Sequence, residues 1–74
     1  DDEGALVAFY RQRLGAGGNS PLTNANLHFF LGRLLLDSDK AAAEKELRVA
    51  RDQFAKVLPE DHDVFDVIDT LLEQ

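Results

Sequence analysis

The sequence predicts an all-α fold of about four helices arranged as antiparallel hairpins, and three observations carry that expectation. Apolar residues recur at steps of three and four along most of the chain, no segment sustains the alternation of a strand, and the two prolines and three of the five glycines fall at the ends of the periodic stretches or between them.

The first segment, about 3–14, carries Leu6, Phe9, Tyr10 and Leu14 at helical spacing. Its acids stand at the start and Arg11 and Arg13 near the end, both favourable to the helix dipole, and Gly15 is placed to act as a left-handed cap. "GAGGNS" is then a flexible loop. It lacks the lysine and the preceding strand of a phosphate-binding loop. The second helix, about 21–36, starts at Ser20-Pro21, with proline in its first turn. It is apolar on nearly all sides, so it must be covered from more than one direction.

"DSD" (37–39) interrupts the pattern and offers N-cap oxygens, Ser38 among them. The third helix, about 40–58, aligns Ala43, Leu47, Ala50, Phe54 and Val57 on one stripe, with Glu44–Arg48 and Asp52–Lys56 as i,i+4 pairs, and Pro59 ends it. Asp61 or Asp63 is placed to cap the fourth helix, about 62–73. Its expected core face is Val64, Val67 or Ile68, and Leu71, flanked by Phe65 and Leu72.

Residues 1–74 make one helical domain, and a chain of this size buries only about 60% of its unfolded surface, so stability depends on good packing or on a partner. With no cysteine there is no disulfide or thiolate metal site, a lack that fits any compartment. Neither a signal peptide nor an apolar run of the roughly 18 residues needed to span a membrane is visible. The first residue is Asp rather than Met, which reads as an excised piece of a longer chain. The net charge of −6 argues against nucleic acid and anionic membranes. The charge is uneven: residues 60–74 hold six acids and no base, while residues 11–56 hold all eight bases against five acids. Such asymmetry points to segments that pair with each other, or to a tail that meets a basic partner.

Candidate chemistry is sparse. His28 sits beside Phe29-Phe30 on the helix expected to be buried, where a lone histidine packs rather than reacts. Asp61, His62 and Asp63 adjoin on a turn, but neighbouring residues rarely converge on one ion, so capping is expected there rather than a metal. No cysteine nucleophile exists, and no serine comes with a positioned histidine and carboxylate, so no enzyme is expected. Asp66, Asp69 and Glu73 form an acidic stripe on the last helix. They are either a solvated face set against the basic flank of helix 40–58 or a landing surface for a basic peptide.

"NLHFFLGRLLL" resembles the first helix of a tetratricopeptide-type hairpin, with Leu31-Gly32 where a small residue lets helices approach closely. Ala43, Leu47 and Ala50 keep the small-large-small spacing of the second helix. "ALVAFYRQRL" is similar to a preceding second helix and "DVFDVIDTLL" to a following first helix. Pro59 falls later than in that repeat, and the loop "GAGGNSPLT" is longer. The resemblance implies stacked helical hairpins and a protein–protein interaction role, in which the flank of helix 21–36 bearing Asn26, Phe29 and Arg33 takes a peptide or partner helix. Stacked repeats bury their faces against neighbours, so open ends are expected to be covered by further repeats, self-association or a partner.

A second resemblance competes. Asp37-Ser38 after an apolar run, together with "FAKVLPEDHDVF", resembles acyl or peptidyl carrier domains, which implies a 4′-phosphopantetheine arm on Ser38. A helix start welcomes a phosphate. Against it, Asp39 stands where carriers place a large apolar residue, and helix 40–58 holds five bases against three acids.

Overall fold

The structure, a computed structural model, describes residues 2–74; Asp1 lies outside the described residues. Four helices follow one another: α1 (Asp2–Ala16), α2 (Pro21–Leu35), α3 (Lys40–Ala55) and α4 (Asp63–Leu72). There is no strand among the described residues. Each helix packs chiefly on its neighbour in the chain, with α2 against α3 the most extensive contact. The result is a slab of 37 × 32 × 16 Å. With helix axes about 8–10 Å apart, a thickness of 16 Å holds no more than two packed helices.

The central hairpin is built on small residues. Ala25 on α2 and Ala43 and Ala50 on α3 are fully buried, and Leu47 fills the space between them. Gly32 marks the closest approach: a Cβ there would lie 2.7 Å from Leu47 Cγ and 3.2 Å from the Ala43 carbonyl oxygen. No side chain larger than hydrogen fits without displacement, which is the physical content of the expected small-residue seam. Around this seam the core divides in two. Leu31, Leu35 and Ala43 are covered by Val7, Tyr10 and Leu14 of α1. Ala25, Leu47, Ala50 and Phe54 join Phe65 and Ile68 of α4. α1 and α4 therefore cover different parts of the hairpin.

Several boundaries and faces differ from the sequence expectation. α1 runs through Gly15 to Ala16, and the left-handed residues are Gly17 and Gly18, at φ 75° and 76°. Asn19 closes this turn by donating from Nδ2 to the Arg13 carbonyl at 2.9 Å. Ser20 caps α2 as expected, accepting the Thr23 N–H at 3.1 Å. The cap of α3 is Asp39, not Ser38: Asp39 Oδ1 accepts the Ala42 N–H at 3.1 Å, whereas Ser38 is exposed on the turn with its N–H given to the Leu35 carbonyl. The cap of α4 is His62 rather than Asp61 or Asp63, its Nδ1 accepting the Val64 N–H at 3.1 Å.

α3 ends at Ala55, and the Val57 and Leu58 N–H groups both turn back to the Phe54 carbonyl, so Val57 leaves the core stripe and is exposed. On α1 the inward face is Val7, Tyr10 and Leu14, so Leu6 and Phe9 point outward. On α4, Phe65 and Ile68 are the buried pair, Val64 and Leu71 are half-buried and Val67 is exposed. Of the two candidate i,i+4 pairs neither forms an ion pair; those among the described residues are His28–Glu46 and Arg51–Asp69, both between helices.

Candidate partner-binding face

The flank of α2 beside the seam is held in place by the seam itself. With Ala25 and Gly32 turned inward, the 3.6-residue period sets Phe29, Leu22, Arg33 and Asn26 along the adjoining flank and Phe30 furthest from the seam. Asn26 and Phe29 are half-buried and Arg33 is exposed. Phe29 has two roles: its ring packs edge-on to buried Phe54 at 6.3 Å, while the Arg33 guanidinium lies 5.7 Å above its centroid. Held against an aromatic face, this cation makes no ion pair among the described residues. Asn26, Phe29 and Arg33 thus share one face.

Sequence reasoning missed the apolar neighbours of that face. Leu22 is 44% exposed and Phe30 is 42% exposed, on a helix expected to be covered from more than one direction. Phe30 stacks obliquely on Phe29 at 5.7 Å and on Tyr10 at 6.2 Å, and Tyr10 meets Phe9 at 5.7 Å. A continuous file of five rings therefore runs from Phe54 in the core to Phe9 on the surface. No local signal marked them, because which side of α2 stays bare depends on where α1 packs.

The acidic stripe on α4 lies apart from this face, with no hydrogen bond or ion pair joining the two among the described residues. Its members behave differently. Asp69 accepts from Arg51 through both oxygens, Nε to Oδ1 at 2.8 Å and an Nη to Oδ2 at 3.1 Å. That fork lowers the Asp69 carboxyl below the usual carboxylate range, chiefly through its hydrogen bonds, and raises Arg51 further. Asp66 and Glu73 are exposed and form no ion pair. So one acid of the stripe faces the basic flank of α3 and two face solvent.

Arg51 also lies 5.2 Å over the Phe65 ring and, with Ala55, Leu58 and Glu60, lines an open cleft of about 540 Å³ at the α3–α4 elbow. Its guanidinium is already engaged by Asp69. His28, on the flank of α2 toward α3, bonds through Nδ1 to Glu46 Oε1 at 2.8 Å. This contact ties the two helices, a partner that sequence reading did not supply because it lies 18 residues on. Ser38 has a solvated hydroxyl, and the first-turn amide of α3 that could receive an anion is taken by the Asp39 carboxylate. Among the described residues no three His, Cys, Asp or Glu side chains are grouped to hold a metal, and no helix is long and apolar enough to cross a membrane. Comparison with known proteins adds no relative: no family model, no curated protein and no solved structure matches this chain.

Proposed function

We propose that this chain is a non-catalytic protein–protein interaction module that takes a peptide or partner helix on the outer face of α2. One observation carries the reading. A rigid helix presents Leu22 and Phe30 to solvent beside a guanidinium stacked on Phe29 and free of any carboxylate. Exposed aromatic and aliphatic groups supply the apolar anchors of an interface, and a pre-placed arginine suits a carboxylate on the partner. Phe29, tied to Phe54, keeps the anchor from collapsing when the face is empty.

The finer reading is a tetratricopeptide-like arrangement. It is supported by consecutive helices packed neighbour on neighbour, by the Gly32–Leu47 close approach and by the buried Ala43 and Ala50. In that arrangement α2 is a first helix, and first helices line the peptide-binding side. The carrier alternative, an arm on Ser38, gains nothing from Asp39, whose carboxylate occupies the helix start next to it.

The test is selection of binders from a random peptide display library, followed by calorimetric titration of the selected peptides. Phe30→Ala and Arg33→Glu are each expected to weaken binding about tenfold or more, the equivalent of about 1.4 kcal/mol. Glu60→Ala, remote from the face, serves as control. Peptides that bind equally well to all three variants, or a library that yields none, would overturn the assignment.

A further inference from the structure

α1 and α4 each leave one flank unused, and the two flanks are complementary. No residue of α1 is buried. With Val7, Tyr10 and Leu14 turned to the hairpin, its adjoining flank displays Leu6 at 44% exposure, Phe9 at 48% and Arg13, whose guanidinium sits 5.9 Å from the Phe9 ring. α4 turns Phe65 and Ile68 inward and displays Val67 at 46% exposure, with Asp63 one turn before it and half-buried Leu71 one turn after.

From these flanks we propose that copies of this chain stack head to tail, α1 of one copy lying antiparallel on α4 of the next. In that direction Arg13 meets Asp63, Phe9 meets Val67 and Leu6 meets Leu71. Leu6 to Arg13 spans seven residues and Asp63 to Leu71 spans eight, about 10–12 Å in either helix, so the three contacts stay in register.

Charge selects both the partner and its direction. Glu60, Asp61 and Asp63 crowd the start of α4, and no base follows Lys56. The antiparallel arrangement brings Arg13 to that acidic end and carries Asp2 and Glu3 to the other, where Glu73 is the one acid they meet. The parallel one sets Asp2 and Glu3 against all three acids. Two α4 flanks facing each other would repel for the same reason. A contact between two different surfaces does not close on itself as an isologous dimer does, so it propagates into open chains. One helix laid on another buries little area, which makes the association weak and dependent on concentration. This surface meets the outer face of α2 through the Phe9–Tyr10–Phe30 contacts, and the two proposals are told apart by the variants that each test uses.

Sedimentation velocity over a wide concentration series tests it. The weight-average sedimentation coefficient of the wild-type chain is expected to rise without a plateau at dimer. It should fall back when salt is raised, and Arg13→Glu should weaken association at least tenfold, with Asp63→Arg in the same chain restoring it. Phe9→Asp blocks one end and Val67→Asp the other, like charges that repel where the two altered flanks meet, so each variant alone should be monomeric while an equal mixture gives a 1:1 dimer that grows no further. Both substitutions lie at exposed positions, and circular dichroism melting confirms that each variant is folded; Leu6→Asp replaces Phe9→Asp if it is not. Arg33→Gln, on the α2 face and outside the Phe9–Tyr10–Phe30 contacts, should leave stacking unchanged. A monomeric wild type throughout the series overturns the proposal. So does a mixture that forms no dimer, or self-association that is lost in Phe9→Asp and intact in Val67→Asp, the signature of α1 pairing with α1.

Discussion

Replacing Gly32 by alanine sets two effects of opposite sign against each other. Taken alone, a glycine inside a helix costs about 1 kcal/mol relative to alanine, so Gly32→Ala in an uncrowded helix would stabilise by that amount. Here the new Cβ falls 2.7 Å from Leu47 Cγ and 2.9 Å from Leu47 Cδ2, against ordinary carbon contacts of about 3.5–4.0 Å. About 1 Å must be found. Leu47 is fully buried and the atom struck is its branch carbon rather than a free tip, so it has nowhere to swing. Moving the backbone instead is resisted by the Ala43 carbonyl, itself 3.2 Å from the new carbon.

Overpacking of this kind costs about 1–3 kcal/mol. At its upper end, less the propensity gain, the net loss is about 2 kcal/mol, equivalent to a fall of roughly 10 °C in Tm for a domain of this size. Urea unfolding followed by circular dichroism measures it, with the double-mutant cycle to Leu47→Ala as the diagnostic arm. Leu47→Ala alone should cost about 2–5 kcal/mol through its cavity. In that background the Leu47 branch is gone and only the Ala43 carbonyl at 3.2 Å remains, so Gly32→Ala should turn from destabilising to stabilising, by at most about 1 kcal/mol. If Gly32→Ala stabilises the otherwise unaltered chain by that amount, the helices are not in contact at the seam and the reasoning fails.

Asp39→Ala should cost about 1 kcal/mol in thermal melting and Ser38→Ala almost nothing, because the carboxylate and not the hydroxyl caps α3. Incubation with a phosphopantetheinyl transferase and coenzyme A, read by intact mass, should leave Ser38 unmodified; a pantetheine adduct would move the functional reading to a carrier domain. Ile68→Ala should lose about 2–5 kcal/mol in urea unfolding, since Ile68 is fully buried between α4 and the hairpin. Val67→Ala, one residue away, should lose far less. Asp69→Asn should lower the urea midpoint at neutral pH. Because folding depresses the Asp69 carboxyl, its contribution is present above the usual carboxylate range and is lost as pH falls through the lowered value, so the two midpoints should converge in acid. The fork is solvent-exposed, so the difference should also shrink in high salt.

The four helices were legible because their punctuation and periodicity agree: Ser20-Pro21, "DSD" and Pro59 fall where the apolar spacing stops. Caps were less so. "DSD" offers three consecutive oxygens, and which one reaches the first turn depends on how the chain leaves Leu35; the structure selects Asp39. Faces were ambiguous wherever a helix carries two apolar stripes. Leu6-Phe9 and Val7-Tyr10-Leu14 both satisfy a helical period, and only the position of α2 decides between them. The same holds for Val67 against Ile68. Of the candidate site, the grouping of Asn26, Phe29 and Arg33 followed from spacing, and a pairing of the acidic stripe with α3 from charge. The exposure of Leu22 and Phe30 and the bonds His28–Glu46 and Arg51–Asp69 did not, because each depends on contacts far along the chain.

The apolar surplus of α2 connects these observations. A helix that is apolar on nearly all sides needs cover on nearly all sides, and this chain supplies it on two. α3 closes one side so tightly that only hydrogen fits at Gly32, and α1 closes part of another with three half-buried residues. Had α1 been longer or more apolar, Phe30 could have been buried within the chain. Instead Gly17 and Gly18 turn the backbone straight into the Ser20 cap, and α2 begins anew with its outer face bare. A slab 16 Å thick cannot hide that face by folding over it. The rigidity comes from the seam and the exposure from the shortage of cover, and a surface that is both rigid and apolar loses little conformational entropy when a partner arrives.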